Sequence, residues 1–324
     1  MKRTFLPAPL AFLILSLLGF TLSGQSDNPY ILSIQKSASP VLLDGLLDEP
    51  CWQDAHTAGN FFRNFPYDTA FASARTEVRI CFDEQFLYVG ATVFQVKNTY
   101  IYPSLKRDFD FGESDEFQVN IDPFEDKLNG FHFSVSPLNV QREGTIDNGG
   151  TLNADWDNKW YSQVVSEEDR WTVEMAIPFK TLRYKNKQGA NIWRINFGRI
   201  DMKRNEASSW APVPRQFDIF SLAFAGELHW REAPPKPGSN ISLIPYLTGR
   251  MERDFEFKLP NEFNANAGLD AKIALTPSLN LDLTVNPDFS QVEVDEQITN
   301  LSRFELFFPE RRQFFLENED LFSK

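Results

Sequence analysis

The residues best able to do chemistry sit in one passage, KRDFDFGESDEFQVNID, which places Asp108, Asp110, Glu113, Asp115 and Glu116 in a run from loop to strand. Paired carboxyls cleave glycosidic bonds when they face one another across ~5–9 Å. Asp115 or Glu116 with a distant partner such as Glu174 would meet that need. Oxygen-rich loops are also what calcium prefers. LLDGLLDE, with Asp44 and Asp48 beside Glu49, is the second such loop, and Asp44 and Asp48 are the metal ligands expected if calcium is bound. Neither loop follows an EF-hand spacing.

A third chemistry is sugar binding, in which aromatic faces stack on C–H surfaces while amides, carboxylates and guanidinium groups read the hydroxyls. Phe109 and Phe111 precede a polar strand face made of Glu116, Gln118 and Asn120, and NADWDNKWYSQV offers Trp156 and Trp160 among Asp155, Asp157 and Asn158. Phe109, Phe111, Glu116, Gln118, Trp156 and Trp160 are therefore the expected carbohydrate contacts. Other catalytic signatures are missing: the sequence has no G-x-S-x-G elbow, no glycine-rich phosphate loop and no H-E-x-x-H. His56, His132 and His229 are scattered, and His132 falls between Phe131 and Phe133, which turns it to the face opposite the core.

The elements that must position these groups are short strands. Val78, Ile80 and Phe82 alternate before a turn at Asp83-Glu84, and the pattern resumes at Phe86 and Tyr88. The same period of two runs through Phe117, Val119 and Ile121, through Phe131, Phe133 and Val135, through Trp171, Val173, Met175 and Ile177, and through Trp193, Ile195 and Phe197. Period-two runs separated by Asp, Asn, Gly and Pro predict an all-β chain, an antiparallel β-sandwich of jelly-roll type. Trp52, Trp171 and Trp193 are assigned to its core. Two short helical turns are expected, one in LDEPCWQDA with Asp48 as cap and one at PFKTLR with Pro178 in its first position.

The ends differ from this middle. Met1-Lys2-Arg3, an apolar run from Leu10 to Leu22 and small residues at Ser23-Gly24 read as a signal peptide over 1–24. Export makes Cys51 and Cys81 relevant, because an oxidising compartment permits a bridge; a disulfide and two buried thiols both remain open. A sandwich over 25–231 is followed by a proline-rich linker over 232–240 and a segment of different texture over 241–324. There Leu269, Ala271, Ile273 and Leu275 face one way, the chain turns at Thr276-Pro277-Ser278, and Leu279, Leu281, Leu283 and Val285 continue the face. Outer-membrane hairpins alternate in this way, and so do half-buried soluble ones. The net charge of −13 argues against nucleic acid and anionic membrane surfaces as partners and leaves neutral glycans open.

The ordered set VLLDGLLDEPCW, FDEQFLYVGATV, RDFDFGESDEFQVNIDPF, DWDNKW and RWTVEMAIPFKTLR with WRINFGR resembles the family 9 carbohydrate-binding-module-like domain over about residues 38–231. In sugar-binding members of that family a clamping tryptophan lies just before the motif that here reads SDEFQV. Phe111-Gly112 stands there instead, so the resemblance implies a smaller stacking face from Phe111 or Phe109, and Gln118 takes the place of an acidic hydroxyl ligand. The tail from DLTVNPDFSQ onward resembles the opening of an uncharacterised domain that follows this module in bacterial outer-membrane proteins. That likeness implies an exported, periplasmic module joined to the first hairpins of an incomplete outer-membrane β-barrel, with an oligo- or polysaccharide as its partner in carbohydrate uptake or breakdown. A glycoside hydrolase and a purely structural barrel cap are the alternatives.

Overall fold

A computed structural model describes residues 29–154, 156–184, 191–236, 241–252, 262–276 and 279–287. The signal peptide, Asp155 and the tail after residue 287 lie outside the described residues. In chain order the first strands are β1 (Ile31–Ile34), β2 (Phe62–Phe65), β3 (Thr76–Phe82), β4 (Phe86–Phe94), β5 (Glu116–Asp122), β6 (Gly130–Val135), β7 (Gln141–Asp147) and β8 (Thr151–Asn153). They continue with β9 (Tyr161–Ser166), β10 (Arg170–Pro178), β11 (Asn191–Asp201), β12 (Glu206–Ser209), β13 (Gly226–Trp230), β14 (Ile241–Glu252), β15 (Glu262–Thr276) and β16 (Leu279–Val285). One short helix, α1, spans Pro50–Asp54.

Two sheets make the sandwich. The larger runs β1-β13-β11-β5-β6-β7-β8, with β12 and β2 joined through β11; the smaller runs β3-β4-β10-β9. All pairings are antiparallel except β1 with β13, where the described chain enters beside the strand that ends the sandwich. The expected alternation holds: Val78, Ile80, Phe82, Phe117, Val119, Ile121, Val173 and Met175 are at most 1% exposed and share one core. Trp52, Trp171 and Trp193 are buried as expected.

The turn at Asp83-Glu84 is built by a side chain. Asp83 Oδ1 accepts the N–H groups of Gln85 (2.7 Å) and Phe86 (2.8 Å), and Oδ2 accepts the Tyr88 hydroxyl (2.8 Å). Asp83→Ala should therefore lower the unfolding free energy by about 1–2 kcal/mol, read as a shift in the urea midpoint with an unchanged slope.

Two helical expectations need correction. Asp48 does not cap α1; the cap position is Glu49, without a capping side-chain bond, and Pro50 opens the helix. The Glu49 carboxylate instead accepts Leu42 N–H (2.9 Å) and the Trp52 indole N–H (2.9 Å). At PFKTLR no helix forms, because β10 runs through Pro178 and the chain leaves it in i→i+3 turns, Thr181 to Pro178 and Leu182 to Phe179. Beyond the sandwich, the Tyr184 hydroxyl donates to Pro235 O and so holds the start of the proline-rich linker.

Strands β14, β15 and β16 form a third, open antiparallel sheet. Its register puts Leu247 opposite Ala267, Met251 opposite Phe263, and Leu269 opposite Val285 on one face. That face is bare: Leu247 is 85% exposed, and Met251 and Phe263 are each 72% exposed. Across the sheet, Thr284 donates to Asp270 (2.6 Å) and the Tyr246 hydroxyl donates to Asn286 O (2.6 Å). Tyr246 also lies over Gly268, its cross-strand partner, where an added Cβ would meet the ring at 2.3 Å.

Candidate functional site

Because Phe117, Val119 and Ile121 face the core, Glu116, Gln118 and Asn120 of β5 face outward. The pairing of β5 with β6 and of β6 with β7 sets them beside His132 and Ser134, and Ser134 beside Arg142. Period two alone would leave this face in water. Instead Glu116, Gln118, His132 and Ser134 are fully buried and Arg142 is 2% exposed. Loops cover them: Phe109 and Phe111 lie with ring centroids 5.1 and 5.3 Å from the Arg142 guanidinium carbon, and Phe220 meets Phe111 edge-on at 5.3 Å. Phe109 and Phe220 are buried, whereas Phe111 remains 39% exposed.

The polar floor is a network centred on Arg142. Its Nη2 lies 3.2 Å from Glu116 Oε2 and 3.0 Å from His132 Nε2, and Nη1 donates to Phe109 O at 3.3 Å. Glu116 also accepts from the Ser134 hydroxyl (2.7 Å) and from Gln118 Nε2 (2.7 Å). Since Nε2 of His132 faces a guanidinium donor, its proton sits on Nδ1 and is donated to Asn120 Oδ1 (2.8 Å). Burial, and then the Arg142 charge, hold His132 well below the ordinary histidine range, so the ring is neutral. Burial pushes the Glu116 carboxyl up, while Arg142, Ser134 and Gln118 pull it back.

Three atoms of this floor are unmatched. Gln118 Oε1, Asn120 Nδ2 and Arg142 Nε have no hydrogen-bond partner among the described residues, although each is buried. Orphans of this kind cost free energy unless something fills them. One acceptor and two donors match hydroxyl groups, each of which both donates and accepts.

Four of the expected carbohydrate contacts, Phe109, Phe111, Glu116 and Gln118, are thus brought together. Trp156 and Trp160 are not. Both are core residues, 4% and 3% exposed, packed on the opposite face of β6 at 5.3 Å from Phe131 and 5.5 Å from Phe133. Trp160 donates its indole N–H to buried Glu143 (3.0 Å), which leaves no face for a sugar. Arg142 and Phe220 escaped the sequence reading. Arg142 has a signal, its alternation with Glu143 on β7; Phe220 has none, because it comes from a loop about a hundred residues away from Phe111.

The carboxylate pairing for hydrolysis does not form. Glu116 sits on the outer face of the nine-stranded sheet, and Glu174 sits on the outer face of the four-stranded one, with the core between them. Glu174 instead anchors the loop before α1, accepting from Asp44 N (2.9 Å), Gly45 N (2.8 Å) and the Trp52 indole (3.1 Å). Asp44 uses its side chain to close its own turn on Leu46 N (2.9 Å), and Asp48 is exposed. Among the described residues no three His, Cys, Asp or Glu side chains converge as a metal site.

Residues 237–324 match the model of a family described as a domain of unknown function, DUF5916. Among solved structures the chain is similar to a family 9 carbohydrate-binding module from Caldicellulosiruptor kristjanssonii in complex with cellotriose, at 18% identity and a TM-score of 0.43 over 62% of this chain and 93% of that one. A family 9 carbohydrate-binding module from that organism in complex with glucose gives 17% identity and a TM-score of 0.41 over 61% of this chain and 95% of that one. A Bacteroides uniformis protein described provisionally as carbohydrate-binding gives 14% and 0.49 over 62% and 99%. No curated protein matches. Residues 43–212, just over half of the 324, match the model of the carbohydrate family 9 binding domain-like family, and the chain belongs to that family.

Proposed function

We propose that the chain binds a neutral oligo- or polysaccharide on the outer face of β5, β6 and β7, and that a barrel begun by β14–β16 holds this module at the outer membrane for glycan uptake or breakdown. The observation that carries the binding half is the set of orphaned atoms on this face, Gln118 Oε1, Asn120 Nδ2 and Arg142 Nε, with the Arg142 guanidinium lying against Phe109 and Phe111. Sugar hydroxyls would complete them while a ring face stacks on Phe111, the roof residue open to solvent. Phe111 then governs affinity. Phe111→Ala should weaken binding about three- to tenfold, and Phe111→Trp should tighten it. Calorimetric titration of the detergent-solubilised chain with neutral oligosaccharides, cellotriose among them, reads both. Absence of binding to every sugar at millimolar concentration would remove this half.

The membrane half rests on the bare apolar face of the third sheet and on its strand lengths. Crossing a bilayer takes about 9–11 tilted residues, and β14 and β15 run for 12 and 15. Orientation follows from the connections: outer-membrane barrels keep short turns on the periplasmic side and long loops outside. Only Pro277 and Ser278 join β15 to β16, whereas residues 253–261 join β14 to β15. On this proposal the short connection faces the periplasm, as does the start of β14, with the sandwich that precedes β14 on that side. Retention in the outer-membrane fraction through an alkaline carbonate wash is the expected result, and release by that wash would sink the membrane half.

A further inference from the structure

The chain's two cysteines play no part in the glycan face. Cys81 of β3 lies outside the main core, in a small cluster with Cys51 and Trp52 of α1, Tyr88 of β4 and Ala176 of β10. Both thiols are buried, Cys51 at 6% and Cys81 at 0% exposure, and both are unbridged. They nevertheless belong to one buried cluster and act directly on each other, Cys81 and Ser37 both serving as donors toward Cys51.

We infer that in the exported protein Cys51 and Cys81 are joined by a disulfide that staples α1 to β3. The inference goes beyond glycan binding and rests on the export proposed above, since an oxidising compartment is where such a bond persists. The two side chains already share one buried cluster, and the bond asks the sulfurs to close to about 2.0 Å. The element that can supply this movement is α1, which is five residues long and has no side-chain cap. What the bond would fix is the seat of Trp52, whose indole N–H reaches Glu174, and with it the loop at Asp44 and Gly45.

The oxidant is a small-molecule or protein disulfide. Cys51 is the attacking thiol, because it rides on α1, the element that moves, and is the less buried of the two, 6% exposed against 0%. The Cys51 thiolate attacks one sulfur of the oxidant and expels the other as a thiolate. Cys81 then gives up its proton and attacks the Cys51 sulfur, expelling the second thiolate. Two protein thiols lose two electrons, the oxidant gains them, and the two protons leave on the two small thiols. Since Cys81 is sealed and protonated once α1 is seated, closure belongs to folding rather than to the finished domain.

The test uses the full chain in detergent, folded from urea with glutathione disulfide present, then unfolded and exposed to a maleimide without reductant. Intact mass should show no maleimide adducts, and two after prior reduction. The bridged protein should also melt about 5–10 °C higher than its reduced form, and the C51A/C81A double variant should show no response to reductant. Two adducts without reductant would overturn the proposal, whatever the variant does. The reaction is run in vitro, so failure of the bridge is read separately from failure of export, which cell fractionation reports.

Discussion

Arg142→Met is expected to lower the unfolding free energy by about 3–5 kcal/mol and to abolish glycan binding. The first effect comes from what is left behind. Glu116 is fully buried, and Arg142 is the cation beside it, 3.2 Å away. Removing the guanidinium leaves the carboxylate with Ser134 and Gln118 as donors but no opposing charge in a medium of low dielectric. His132 Nε2 loses its donor at the same time. The variant should recover toward wild type as the pH falls, because protonating Glu116 removes the stranded charge. Glu116→Gln with Arg142→Met should cost less than the sum of the two singles, with a coupling of about 0.5–3 kcal/mol in a urea double-mutant cycle. Strict additivity would show that the two side chains do not act as a pair. Loss of binding has a separate origin, since Arg142 Nε is one of the three atoms offered to the sugar and its guanidinium carries the rings of Phe109 and Phe111.

This site was half legible in the sequence. Period two on β5 was plain, and it placed Glu116 and Gln118 together on one face without help from any structure. That the face is dry was not legible, because its cover comes from Phe109 and Phe111 before β5 and from Phe220 far downstream, and nothing in local spacing links those loops. The error at Trp156 and Trp160 has a related cause. WDNKW is irregular chain, so no periodicity says which way its indoles point, and its acid and amides resemble a sugar platform as readily as a lid tucked under β6. Membership of a sugar-binding family does not settle such directions, because the same motif serves whether its tryptophans stack on ligand or on Phe131 and Phe133. The fold was read more fully: each sandwich strand with strict alternation appears. The third sheet also appears, with β15 longer than its alternation suggested, since it reaches back to Glu262 through residues such as Asn264 and Asn266 that keep the pairing and bury no surface.

Raising the pH from about 5 to 8 should destabilise the sandwich through Glu174, and Glu174→Gln should remove that dependence. Burial pushes this carboxyl up to about 7. The N–H groups of Gly45 and Asp44 oppose the shift, and the nearby Glu49 adds to it. The two glutamates are close because both accept the one Trp52 indole N–H, Glu49 at 2.9 Å and Glu174 at 3.1 Å. Two carboxylates sharing a donor cannot both ionise cheaply. The sign follows from linkage. In the unfolded chain Glu174 titrates near 4.5, so between that value and about 7 the folded protein holds a proton the unfolded one has released, and stability falls as the pH rises through this window. For this one group the loss is on the order of 3 kcal/mol. His132 works the opposite way, because the folded ring stays neutral while the unfolded chain takes up a proton below about 6.5. The comparison of variants separates the two. Glu174→Gln should start lower at every pH, since an amide group must now meet the Trp52 N–H, yet its urea midpoint should decline less from pH 5 to 8. Glu49→Gln removes the neighbouring charge and should also flatten the decline, with Glu174 still in place. If both variants keep the full wild-type slope, the titration belongs to other groups and the Trp52 indole is not shared between two competing carboxylates.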